Sequence, residues 1–238
     1  MANPLDNRYM TQGQAAVADI DVGLRQYMLK VYNFMSVGLV VTGLVAYFTA
    51  SSPELLRAIY GTPLQWVVIF APIGFSLMFS FRIQQMRAST AQILYWAFAA
   101  TMGLSLSYIF LLYAKADIAR VFFITAGTFA GMSLYGYTTK RDLTGMGHFM
   151  TMGLFGLILA CVVQLFTHSA ALQFAISVIG VIVFVGLTAW DTQRIKEMYS
   201  AADGSETGTK KAILGAFRLY LDFINLFIML LQLMGSRR

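Results

Sequence analysis

What this sequence has least of is charge. Of its 238 residues only 12% are Asp, Glu, Lys or Arg, and 58% are hydrophobic, whereas roughly a quarter of a soluble domain is charged. Mean hydropathy is +0.67. No soluble core could bury so much apolar surface, which leaves a polytopic membrane protein folded as one bundle. Cysteine is reduced to Cys161, so no internal disulfide can form, and its apolar surroundings favour inert packing over redox chemistry. Histidine is limited to His148 and His168. There is no His or Cys cluster at metal spacing, no Gly-rich phosphate loop and no HExxH motif. The intramembrane serines Ser76, Ser105, Ser107 and Ser133 have no deep histidine base, which argues against proteolysis. An enzyme is therefore not expected, and no cofactor is implied. The first thirty residues have no short apolar core with a small-residue cleavage site, so a cleavable signal peptide is not expected.

What charge there is has a direction. The net charge is +6, with basic residues spread between apolar runs rather than clustered. They read as topology determinants and lipid-headgroup contacts, not as a nucleic-acid surface. Seven runs are long enough to cross a bilayer: Val31–Ala50, Leu64–Phe81, Gln92–Tyr113, Ala119–Thr138, Phe149–Thr167, Ala171–Trp190 and Ala212–Met234. The expected fold class is thus an all-α polytopic bundle, with 1–30 a cytoplasmic tail and 31–238 the membrane domain. Ser51-Ser52-Pro53 and Gly61-Thr62-Pro63 mark turns. The join near Thr167–Ala171 is short enough to make spans five and six an antiparallel hairpin, and Ser200–Thr209 reads as a mobile loop. Lys and Arg are concentrated on the side shared by the N-terminus. By the positive-inside rule the N-terminus is cytoplasmic and, with an odd number of spans, the C-terminus periplasmic. Glycines recur along the spans, and Gly127-Thr-Phe-Ala-Gly131 has the spacing of close helix packing, expected here within the one bundle.

The seventh run carries polar residues. Arg218, Asp222, Asn225 and Gln232 share one stripe of it, while the other faces are Leu, Ile, Phe and Met. A carboxylate facing lipid costs several kcal/mol, so Asp222 must face protein or water, as on a central helix wrapped by others. Asp191 ends the sixth run in Gly186-Leu-Thr-Ala-Trp-Asp191, and consecutive antiparallel spans could bring the two acids together. Their depths match if the last turn of the sixth helix dips inward. Two carboxylates about 4 Å apart repel by on the order of 4 kcal/mol at an effective dielectric near 20. Such a pair should share one proton near neutral pH and titrate as a unit. Proton loss would push the helices apart and leave oxygens able to hold a hard divalent cation such as calcium. The competing arrangement neutralises each acid with an arginine: Arg218, one turn before Asp222, and Arg82, at the end of the second span, reaching Asp191. In a third, Arg82 is a counter-charge that moves as the pair opens.

The runs Gly186-Leu-Thr-Ala-Trp-Asp-Thr-Gln193, Leu219-Tyr-Leu-Asp-Phe-Ile-Asn-Leu-Phe227 and Leu134-Tyr-Gly-Tyr-Thr-Thr-Lys-Arg-Asp-Leu143 are similar to those of the Bax inhibitor-1 family in its bacterial branch. That resemblance implies six spans around a C-terminal seventh. It also implies a passive, pH-regulated calcium leak in the inner membrane, with Asp191 and Asp222 at the positions of the sensing pair. Arg82 resembles the family's arginine on the second helix. Arg218 departs from the pattern, where an uncharged residue is expected. Some bacterial relatives modulate a membrane-anchored ATP-dependent protease, for which residues 1–30 would be the contact. A proton-coupled transporter would also place acids in the membrane, but the polar residues for a substrate cavity are too few.

Overall fold

The computed structural model describes residues 4–83 and 85–236, with side chains from residue 22 onward. Helices account for nearly all of it, and no strand forms among the described residues: α1 (Pro4–Ser51), α2 (Pro53–Tyr60), α3 (Leu64–Arg82), α4 (Ala88–Leu106), α5 (Ile109–Leu112), α6 (Lys115–Thr138), α7 (Thr144–Thr167), α8 (Ala170–Glu197) and α9 (Ser205–Met234). Seven stretches are long and apolar enough to cross a membrane, with α4 and α5 together forming one of them. This is the all-helical, seven-span class read from the sequence.

The differences lie at the ends of the apolar runs. Tyr27 and Met28 are buried in the core, and α1 passes without a break through the expected boundary at residue 30. Between the two turn signals the chain forms α2, started by Pro53 and by Ser52, whose hydroxyl accepts the Leu55 N–H at 3.4 Å. The third span breaks at Ser107 and Tyr108. There Ser107 Oγ donates to Leu104 O at 2.7 Å, and the Tyr60 hydroxyl donates to the same carbonyl at 3.1 Å. These side chains satisfy a carbonyl that the interrupted ladder frees, which a backbone at membrane depth requires. The α7–α8 hairpin turns on His168, left-handed at φ 48°, and on Ser169, which caps α8.

Burial sorts the helices. The most apolar window of α9 is 67% buried, against 6% for α7. Helices α1, α4, α6 and α8 pack directly on α9, while α7 rests on α8. Around the middle of α9, Phe217 meets Phe79 of α3 at 4.7 Å and Phe98 of α4 at 5.0 Å, and Tyr220 meets Phe98 at 5.4 Å. Each such pair contributes about 1 kcal/mol beyond area burial. The Tyr220 hydroxyl bonds Thr42 Oγ1 at 2.6 Å, tying α9 to α1. Lipid offers no hydrophobic drive between helices, so this packing and these interhelical hydrogen bonds hold the bundle.

Glycine serves close approach at some positions and not at others. Gly136 of α6 lies against the Ala189 carbonyl of α8, and Gly147 of α7 lies under the Trp190 ring. Gly127 and Gly131 have open space where a Cβ would stand. The expectation that this GxxxG packs inside the bundle is overturned: it faces outward. Cys161 is likewise exposed on α7 rather than packed. The expected mobile loop is also shorter, because Ser205–Thr209 is already the first part of α9.

Candidate functional site

Helix α8 does not stop at Trp190 but runs to Glu197. Residues Thr192–Glu197 are polar except for the buried Ile195, yet each closes another rung of the backbone ladder, and Gln193 gives the extension a purpose. Its Nε2 donates to Arg141 O and its Oε1 accepts the Leu143 N–H, both at 2.8 Å, clamping the α6–α7 turn. The extension also resolves the depth problem. Ile195 packs at Gly215 and Gly180 at Met229, an antiparallel register that sets Asp191 between Arg218 and Asp222. No inward dip of the last turn is needed.

At that level the carboxyl groups of Asp191 and Asp222 lie within hydrogen-bonding reach of each other. Asp222 is 6% exposed, and among the described residues its buried Oδ2 has no hydrogen-bond donor. Arg218 does not fold back along its own helix to Asp222. Its guanidinium lies 3.6 Å from Asp191 Oδ1 on α8. Arg82 sits exposed at the end of α3 and makes no ion pair among the described residues, so the arrangement in which it neutralises Asp191 is not the one observed. The reason is geometric: Arg82 closes α3, whose contacts are chiefly with α4, and α8 lies beyond it.

The polar stripe of α9 divides between two neighbours. Gln232 accepts a hydrogen bond from Ser177 of α8 at 2.9 Å. Asn225 turns back to its own helix, donating to Leu221 O at 2.9 Å, and lines a cavity of about 540 Å³ between α3, α4 and α9, together with Tyr60, Ser105 and Tyr108. A smaller cavity of about 160 Å³ lies on the other side of the acids along α9, walled by Ile83, Lys210, Lys211 and Leu214. On α9 the smaller cavity is lined by Lys210, Lys211 and Leu214 and the larger by Leu221, Ile224, Asn225 and Ile228, with Arg218 in the stretch between them.

His148 and His168 are both exposed. Among the described residues no group of three or more His, Cys, Asp or Glu side chains comes together. The two carboxylates alone are far fewer than the six to eight oxygens of a resident calcium site.

One set of residues was not anticipated. Tyr32 of α1 bonds Ser133 of α6 at 2.6 Å, Ser133 bonds Thr192 of α8 at 2.9 Å, and Thr192 donates to Thr188 O at 2.8 Å. Three helices are thereby joined by hydroxyls, ending one residue from Asp191. The only sequence signal is the i, i+4 pair Thr188 and Thr192 on the face of α8 that meets α6.

Comparison with known proteins places this geometry in a family. The model for inhibitors of apoptosis-promoting Bax1, Bax1-I, matches residues 24–238. The uncharacterized protein RP147 of Rickettsia prowazekii is 51% identical over 218 residues, 92% of each chain. The inner membrane protein YbhL of Escherichia coli K12 is 46% identical over 219 residues, 91% of this chain and 94% of that one. An uncharacterized protein of Caulobacter vibrioides is 45% identical over 229 residues, 92% of each. With residues 24–238 matched, and the two acids on its last two helices, this integral membrane protein belongs to the Bax1-I, or Bax inhibitor-1, family.

Proposed function

We propose that the protein is a pH-regulated passive calcium leak of a bacterial inner membrane, gated by one proton shared between Asp191 and Asp222. The observation that carries this reading is the charge balance of the buried level. Two carboxyl groups in mutual reach face one guanidinium, and Asp222 Oδ2 has no donor. Arg218 balances one carboxylate and a proton balances the other. With that proton in place the helices are held together at this level.

The sign follows from the charges. Loss of the proton as pH rises leaves two anions at short range, opposed by on the order of 4 kcal/mol at 4 Å and an effective dielectric near 20, with Arg218 offsetting part of this. Helices α8 and α9 then separate, and carboxylate oxygens are freed for a divalent cation. Flux is therefore low in acid and rises with pH. With the N-terminus cytoplasmic, the orientation that the positive-inside rule favours, the cavity at Asn225 would open toward the periplasm.

In proteoliposomes loaded with a calcium indicator, wild-type flux should rise with pH. Asp222→Asn, which keeps the shape without the ionisation, should give low flux at every pH. Full pH-dependent flux in that variant would end the reading.

A second reading is favoured by α1, which runs unbroken from Pro4 into the first apolar span. Its N-terminal part would be the contact for a partner such as a membrane-anchored protease. Removing residues 1–21 spares the buried Tyr27 and Met28. If the protein is a non-transporting regulator, that truncation abolishes co-purification with the protease, and vesicles containing the full chain show no flux.

A further inference from the structure

Helices α1 and α6 both pack on α9 but stand apart from each other, and the space between them is a cleft of about 660 Å³. Its floor is Phe129 and Phe223, and its walls are Leu29, Met35, Val40 and Ala126. It is elongated along the helices. From Arg25 to Val40 the α1 wall rises fifteen residues, roughly 22 Å at 1.5 Å per residue. That exceeds the roughly 15 Å of half a hydrocarbon core.

The cleft is apolar along its length and cationic at one mouth. Among the described residues Arg25 is the only charged one lining it and no carboxylate does, and Arg25 is exposed and makes no ion pair there. Tyr137 stands at the same mouth, with the Lys196 ammonium 5.7 Å from its ring and bonded to its carbonyl at 2.8 Å. A second cation thus backs the first. A narrow apolar groove of acyl-chain length ending in a positive, hydroxyl-bearing mouth matches an anionic amphiphile.

We propose that this cleft holds one acyl chain of an anionic glycerophospholipid from the surrounding bilayer, with its phosphate at Arg25. Charge complementarity at the mouth selects this occupant over a zwitterionic lipid. The Tyr32–Ser133 hydrogen bond crosses between the two walls and continues to Thr192. The occupant therefore sits against the hydroxyl chain that joins α1, α6 and α8. The site does not depend on the leak reading, because it would exist in a non-conducting protein.

The test is native mass spectrometry of the full chain from nanodiscs containing equal phosphatidylglycerol and phosphatidylcholine with identical acyl chains. One cation near the surface predicts about fivefold preferential retention of phosphatidylglycerol by the wild type. Arg25→Glu should abolish that preference. Ala130→Trp, at an exposed position on the cleft wall, should abolish retained lipid of either kind. Leu159→Trp on the outer face of α7, 67% exposed, should retain lipid as the wild type does and controls for an added indole. Equal retention of both lipids by the wild type, or unchanged adducts in Ala130→Trp, overturns the proposal. So does a dimer peak that replaces lipid adducts and vanishes in Ala130→Trp, which would make a second copy the occupant.

Discussion

Arg218 of α9 pairs with Asp191 of α8, 3.6 Å away, and not with Asp222 one turn along its own helix. An intrahelical pair would have left the two helices independent. The crossed pair makes one guanidinium a fastener between them and leaves Asp222 without an ion pair among the described residues. Replacing Arg218 with Met should destabilise the protein by about 1–2 kcal/mol, below the 3–5 kcal/mol of a fully buried pair because the arginine is partly exposed. Adding Asp191→Asn should recover most of that loss. Thermal unfolding in detergent of the two single variants and the double variant gives the coupling energy. Strictly additive effects would mean that the pair contributes nothing.

Gly136 and Gly127 provide a matched comparison on one helix. A methyl group at Gly136 would collide with the Ala189 carbonyl of α8, whereas at Gly127 it would meet open space. Gly136→Ala should cost about 1–3 kcal/mol, as overpacking does. Gly127→Ala should leave the melting temperature within a degree or two. Equal effects would mean that α6 does not sit against α8 at this point.

Gln193 supplies both hydrogen bonds that fix the α6–α7 turn. Gln193→Leu keeps the volume but leaves the Arg141 carbonyl and the Leu143 N–H without partners. An unmade buried bond costs about 1–3 kcal/mol. The turn should become accessible first, so limited proteolysis at Lys140 and Arg141 should accelerate severalfold while the remaining sites are cut at the wild-type rate. An unchanged cleavage pattern would show that the turn holds itself.

Ser133 is the middle of the hydroxyl chain. Ser133→Ala severs both interhelical bonds, and such bonds contribute on average about 0.6 kcal/mol each in membrane bundles. A fall in stability near 1 kcal/mol is expected, and Tyr32→Phe should lower it by about half as much. If Tyr32→Phe proves as costly as Ser133→Ala, the Ser133–Thr192 bond carries nothing.

The sequence was legible wherever apolar length decides the outcome. Each span is a long, mostly apolar run, and the polar stripe on α9 announced a central helix because a carboxylate cannot face lipid. It was less legible where helices continue through polar residues. Thr192–Glu197 and Ser205–Lys211 have no apolar periodicity, yet they extend α8 and α9 and set the register of the two acids. Nor does spacing say which neighbour a face will meet. Gly127 and Gly131 have the pattern of a packing motif but look outward, and Arg218 stood within reach of two carboxylates with nothing local to choose between them. The break at Ser107 is marked by neither proline nor glycine, because it depends on Tyr60, far away in the chain.

The placement of α9 has a consequence for biogenesis. The helix that occupies the middle of the bundle follows, in the order of synthesis, every span that packs on it. Those spans enter the bilayer with no centre to close upon, and their ring must stay open until the ribosome delivers α9. Arg218 and Asp222 thus enter the membrane in a segment whose partners are already waiting there. Assembly of this protein finishes from the inside.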